Sequence, residues 1–113
     1  MNKNAKISLK TNDNTIKYDI LLTIKNNKIN YLEKNSDTNV FLSLDEKILI
    51  RDNKDIYLEY NFSKNQGVVF IKELQNNVNI NLITNKFNVE NDKVEIEYQI
   101  DDDNYNYLIE MEW

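Results

Sequence analysis

The sequence contains no cysteine, no histidine, no proline and only one glycine. Without cysteine the chain has no disulfide, no thiolate metal site and no thiol nucleophile. Without histidine it lacks the commonest general base and the usual zinc ligand, and a single glycine excludes the known phosphate-cradling loops. We therefore expect a protein that is not an enzyme, and we assign no catalytic residue, no metal ligand and no cofactor.

A concentrated positive charge and a long apolar run are missing as well. The 14 basic residues are scattered among 19 acidic ones, which gives a net charge of −5. Because nucleic acids and anionic membranes are bound through a basic face, we expect neither as a partner. Residues 1–6 lead straight into alternating residues, without an apolar run of signal-peptide length. Together with the absence of cysteine, this predicts a cytoplasmic protein.

Apolar residues at every second position are the dominant feature that is present. This period places successive side chains on opposite faces and is typical of β-strands. The chain is rich in Ile, Val, Tyr and Phe, which fit a pleated surface. Its length of 113 residues fits one domain, residues 1–113. The clearest runs are residues 16–24, 56–62, 94–100 and 105–113.

Short clusters of Asn and Asp separate these runs. Short links join antiparallel neighbours, because parallel neighbours need long crossovers. Tight hairpins need residues at positive φ, and with Gly67 as the single glycine we expect Asn to take that role. The pattern predicts an all-β, antiparallel meander of about 8–10 strands. Closing the meander into a barrel removes its edges, so we predict a closed barrel.

Three runs, around Leu21, Phe41 and Val69, are apolar on both faces. On an isolated barrel such runs expose apolar patches unless something covers them. The cover is a terminus, a loop or a second subunit, and the last of these predicts a homodimer.

Residues 47–51, 78–87 and 93–98 resemble segments of the YwiB-like proteins, an uncharacterised bacterial family. The resemblance runs over nearly the whole chain, from residues 6–10 to residues 108–112. It departs at Asn76 and Asn77, where the family tends to have glycine, and in shorter early loops. The resemblance implies a calycin-like, lipocalin-like barrel and, by analogy of fold, a ligand cavity. The family brings no established activity.

Carboxylate groups at three places invite a chemical interpretation. Glu95 with Glu97, and Glu110 with Glu112, share a strand face, but alternation alone explains this spacing as a solvent-facing row. The acidic residues 101–104 lack the glycine and the terminal glutamate of a calcium-binding loop. We interpret them as a solvated hairpin turn.

Arg51 is the only arginine of the chain. It shares the parity of Leu49, opposite Ile48 and Ile50, and it offers a planar, bidentate donor. It binds either a ligand carboxylate inside the barrel or a structural glutamate; the sequence leaves both open.

Tyrosines on the predicted inner face favour an amphipathic cavity, because a buried hydroxyl needs a partner. The leading prediction is a non-enzymatic barrel that binds a small, largely apolar ligand in its interior. The predicted ligand-binding residues are Arg51, Tyr18, Tyr60 and Tyr98. The alternative is a protein-interaction or structural module that forms a homodimer through its two-faced strands.

Overall fold

Ten β-strands make up most of the chain in the computed structural model, which describes residues 1–33 and 35–111. Each strand pairs antiparallel with the next, and β1 pairs with β10, which closes the barrel. The predicted all-β, closed antiparallel barrel is confirmed. The strands are β1 (Asn2–Lys10), β2 (Thr15–Lys25), β3 (Lys28–Glu33), β4 (Thr38–Ser43), β5 (Ile48–Asp52), β6 (Ile56–Asn61), β7 (Gln66–Ile71), β8 (Asn76–Val89), β9 (Lys93–Ile100) and β10 (Asp103–Met111).

Asparagine takes the positive-φ positions of the turns as predicted in part, at three of the seven described positions. Asn26 and Asn27 join β2 to β3 with φ angles of 53° and 60°, and Asn65 has a φ of 55°. This left-handed conformation is tolerated better by asparagine than by most other residues. Aspartate shares this tolerance and takes the conformation at Asp37 and Asp101, whereas Lys47 and Gln75 adopt it without such a preference.

Gly67 does not serve a turn, because it lies within β7 and has no positive φ. It pairs with Tyr60 of β6, and a Cβ atom at Gly67 would lie 2.7 Å from Cδ1 of that ring. The single glycine therefore makes room for a buried tyrosine of the barrel interior.

Alternation divides each strand between an apolar inner face and an outer face. The inner face forms one core, and burial of its apolar surface is the main favourable contribution to folding. Aromatic rings of Tyr60, Phe62 and Tyr98 pack there, with ring centroids 5.3 to 6.2 Å apart. The largest side chains that are fully buried are Ile7, Leu22, Ile29, Val40, Leu42, Leu49, Val94, Ile96 and Ile109.

Strand β5 turns its face with Leu49 and Arg51 inward, so Ile48 and Ile50 lie on the outer face. Leu49 is fully buried, and Arg51 pairs with Val40 and Leu58, which also point inward. In β8, a register shift between Thr84 and Lys86 inserts one extra residue. Such a bulge inverts the alternation, so Leu82 and Phe87 both reach the core despite their odd spacing.

The three two-faced runs differ in the structure. Leu21 points outward from β2 with 59% exposure, whereas Phe41 of β4 points outward but is partly covered. Val69 pairs with the inward-facing Leu58, so it faces the interior, and its neighbours Val68 and Phe70 are the outer residues. The homodimer stays a prediction.

One seam of the barrel is incomplete. Strand β2 pairs with β1 along its length, and β3 pairs with β4 along its length. Between β2 and β3, however, the described ladder joins only residues 23–25 to residues 28–30. The two strands therefore separate on the side of Tyr18 and Glu33. Among residues 1–33 and 35–111, the structure has no helix long and apolar enough to cross a membrane.

The positive φ of Gln75 makes a specific prediction about stability. Gln75→Gly removes the cost of a left-handed backbone at a non-glycine residue, so the free energy of unfolding should rise by roughly 0.5–1 kcal/mol. Glu73→Gly, in the same turn but without a positive φ, is the matched control and should lower it. Urea unfolding measures both, and a destabilised Gln75→Gly variant would contradict this account of the turns.

Candidate functional site

A cluster of polar side chains lies on the inner face next to the incomplete seam. We call Tyr18, Tyr31, Glu33, Arg51 and Tyr107 the polar network. Alternation points each of them inward: Tyr18 lies on β2, Tyr31 and Glu33 on β3, Arg51 on β5 and Tyr107 on β10. The network therefore joins strands from opposite parts of the barrel wall.

Glu33 is the centre of this network. The Tyr18 hydroxyl donates a hydrogen bond to Glu33 Oε2 at 3.1 Å, and Arg51 Nη2 donates to Glu33 Oε1. The Glu33 side chain is 16% exposed, whereas that of Arg51 is 40% exposed. Of the two partners that the sequence left open for Arg51, the structure shows the glutamate. The Arg51 guanidinium has five N–H donors, and its side chain remains partly accessible to solvent beside this contact.

The tyrosines of the network are held in their neutral form. Tyr31 and Tyr107 share a hydrogen bond between their hydroxyl groups. Burial is the largest cause that raises the pKa of Tyr18, Tyr31 and Tyr107 well above the ordinary value for tyrosine. Burial by itself lowers the pKa of Arg51, but the hydrogen bond and charge of Glu33 outweigh it, so this pKa is raised.

The structure brings the four predicted site residues into one region. Tyr18 reaches Arg51 through Glu33, and the positive charge of Arg51 acts on both Tyr60 and Tyr98, partly opposing the rise in pKa that burial causes. The rings of Tyr60 and Tyr98 lie 5.7 Å apart, and Tyr98 stacks on Tyr105 at 5.0 Å. Their assignment as ligand-binding residues stays a prediction.

Sequence reasoning missed Glu33, although a signal was present. Glu33 has the same strand parity as Ile29 and Tyr31, so it is a charged residue at an inward position of β3. A charge at such a position needs a partner of opposite sign, and Arg51, an inward-facing cation, supplies it. The contact between Tyr31 and Tyr107 left no local signal, because 76 residues separate them.

A cleft of about 780 Å³ lies at the incomplete seam and is open to solvent. Residues of both faces of the wall line it, at the place where the ladder between β2 and β3 is missing. Ala5, Tyr18, Ile20 and Glu33 belong to the inner face. The remaining lining residues are Asn4, Lys6, Asp19, Leu21, Leu32 and Asn35.

The carboxylates that invited a chemical interpretation lie elsewhere. Glu95 is bound by Lys86 Nζ at 2.9 Å and, like Glu97, by the Asn106 amide. Glu110 is exposed, and its predicted neighbour Glu112 lies outside the described residues.

Residues 101–104 form the turn and first residues of the β9–β10 hairpin, where the Asn12 amide donates to Asp103. This agrees with the interpretation of the acidic cluster as a hairpin turn.

Together these features define a closed, ten-stranded antiparallel barrel with a polar network beside a cleft in its wall. Among solved structures, the chain is similar to the ywiB protein from Bacillus subtilis, with a TM-score of 0.51 and 13% sequence identity. The alignment covers 99% of this chain and 91% of that one, so the predicted resemblance to YwiB-like proteins is confirmed at the level of the fold. No family model matches the sequence, and no curated protein does.

The raised pKa values predict how stability depends on pH. Above the tyrosine pKa of about 10, the unfolded chain releases protons that the buried hydroxyls of Tyr18, Tyr31, Tyr98 and Tyr107 retain in the fold. The unfolded state then binds fewer protons, so these tyrosines add no pH dependence to the free energy of unfolding below that pH and make it fall above it.

Ultraviolet absorbance of tyrosinate measures this directly. In the folded chain only part of the seven tyrosines should ionise near the ordinary pKa, and the rest should ionise together with unfolding. The control is the same titration in concentrated urea, where all should ionise together. Reversible ionisation of every tyrosine in the folded protein would contradict the burial of the network.

Proposed function

We propose that the chain is a non-enzymatic, cytoplasmic β-barrel protein that binds a small, largely apolar ligand. The ligand occupies the cleft between β2 and β3 and the part of the interior behind it. The observation that carries the proposal is the cleft itself, whose lining includes residues of both faces of the barrel wall. Its volume of about 780 Å³ lies within the range of sites for small molecules.

The lining has the composition of a ligand site. Ala5 and Ile20 on the inner face and Leu21 and Leu32 on the outer face are apolar, and Tyr18 and Glu33 supply hydrogen-bonding groups. An apolar wall with a few convergent polar groups is what orients a small ligand. The apolar part of the ligand lies along the wall, and a polar end reaches the network.

The aromatic cluster limits how deep the ligand reaches. Tyr60, Phe62, Phe87 and Tyr98 fill interior space with rings in mutual contact, at centroid distances of 5.3 to 6.2 Å. Small barrels have room for packed side chains or for one small ligand. In this barrel the aromatic rings fill one part of the interior, and the proposed ligand site occupies the part next to the seam between β2 and β3.

Two further features support a binding role in the cytoplasm. Glu33, the inward-facing carboxylate of the cleft lining, is bound by both Arg51 and Tyr18, so it is poorly placed to act as a general base. The absence of cysteine from the sequence fits a reducing compartment, where disulfides are rare.

Fluorescence titration with 1-anilinonaphthalene-8-sulfonate, a small aromatic amphiphile, tests the proposal. Saturable binding of one dye per chain, with a blue shift, is the expected result. The double variant Glu33→Gln/Arg51→Gln keeps side chains in place but removes both charges together, which avoids an unpaired buried charge. Loss of a charged hydrogen-bonding partner should weaken dye binding about 10-fold.

The matched control is Asp52→Asn/Lys72→Gln, which removes another ion pair, with a separation of 2.8 Å, outside the cleft lining. It should leave dye affinity unchanged. The proposal fails if the native protein shows no saturable binding or if both double variants weaken it equally. Native mass spectrometry of protein purified from its host then measures the mass of the natural ligand.

A further inference from the structure

We infer that the hydrogen bond from Tyr18 to Glu33 is the gate of the cleft. It holds β2 to β3 where their backbone ladder is missing, and its opening gives access to the interior. In the proposed function, the gate controls how the ligand enters the cleft. In that respect alone, the gate rests on the proposed function. Its opening is measurable without any ligand.

The ladder between β2 and β3 stops although both strands continue. Thr23 pairs with Asn30, but β2 extends back to Thr15 and β3 extends forward to Glu33. If the register continued, Leu21 would pair with Leu32 and Ile20 with Glu33. No such pair occurs among the residues that the structure describes, so the wall is open at this height.

The direction of the backbone groups follows from one pair at the start of the chain. Met1 and Ile24 exchange both N–H···O bonds, so Ile24 directs its N–H and C=O towards β1. These directions alternate along a strand, so Leu21 directs its N–H and C=O towards β3. By the same alternation from Asn30, Leu32 directs its groups towards β2. Backbone donors and acceptors of both strands therefore face the cleft.

Side chains span the seam where the backbone does not. Tyr18 lies on β2, and its hydroxyl reaches Glu33 on β3 at 3.1 Å. Glu33 is held from the other side by Arg51 on β5, and β3 pairs with β4 along its length. The glutamate is thus the fixed half of the gate, and the phenol of Tyr18 is the half that moves.

This bond is suited to opening. A hydrogen bond between side chains exchanges with water at much lower cost than a run of ladder bonds. When Tyr18 moves away, the Glu33 carboxylate keeps its ion pair with Arg51, so opening does not leave the charge of Glu33 without a partner. A ligand with a hydrogen-bond donor at one end replaces the phenol on Glu33 Oε2 and keeps the carboxylate satisfied.

A single engineered cysteine tests the gate, since the natural sequence has none. Ala5 lines the cleft from β1 and is 2% exposed, so Ala5→Cys reports opening through its rate of alkylation by iodoacetamide. Adding Tyr18→Phe removes the hydroxyl and keeps the ring. Loss of one hydrogen bond to a carboxylate should speed alkylation about 10-fold.

Two controls separate the gate from a general loss of stability. Tyr57→Phe removes a phenol that donates to Glu59 at 2.8 Å on the outer face, and it should leave the rate at Ala5→Cys unchanged. Val94→Cys, in a fully buried position at β9, should be alkylated at the same rate with and without Tyr18→Phe.

An unchanged rate at Ala5→Cys in the Tyr18→Phe background would overturn the inference. An equal acceleration at Val94→Cys would overturn it as well, because the change would then act on the whole fold. Faster alkylation at Ala5→Cys alone supports the gate, even if the native protein binds no dye. Failure of the gate and failure of the proposed function are therefore separate results.

Discussion

The backbone hydrogen-bond ladder is the constraint on which the rest of this structure depends. Every N–H and C=O of a strand needs a partner, and an open sheet leaves two edges unsatisfied. Pairing β1 with β10 removes both edges and sets one face of every strand inward. The core, the turns and the network all follow from this closure.

The ladder is interrupted at one seam, and the polar network lies beside that interruption. Tyr18 and Glu33 connect β2 and β3 where backbone bonds stop, and Arg51 anchors the glutamate to β5. A partly buried ion pair such as this one adds little stability compared with apolar packing of the same volume. Because the ion pair lies at the opening in the wall, we infer that it holds Glu33 in place for the hydrogen bond with Tyr18.

Much of the fold was predictable from local pattern, because strand alternation and turn residues are properties of neighbouring positions. The strands, the antiparallel order and the Asn26–Asn27 hairpin needed nothing more. The orientation of β5 was ambiguous, since Ile48, Leu49 and Ile50 are all apolar. The bulge in β8 was hidden because an inserted residue changes the phase of the alternation without changing its composition.

The candidate site was predictable only in part. The sequence drew attention to Arg51 and to three tyrosines, but not to Glu33 or to the pairing of Tyr31 with Tyr107. The contact between Tyr31 and Tyr107 depends on which strands come together inside the closed barrel, whereas Glu33 was signalled by its charge at an inward position of β3. The incomplete seam is likewise invisible in the sequence, because β2 has regular alternation throughout its length.

Amide hydrogen exchange followed by NMR tests the interrupted seam most directly. The amide protons of Leu21 and Leu32 should exchange far faster than those of Thr23 and Asn30, which pair across the same two strands. Leu22, whose amide faces β1 in the alternation, serves as an internal reference and should be protected. Equal protection of Leu21, Leu22 and Thr23 would show a continuous ladder and would contradict both the cleft and its gate.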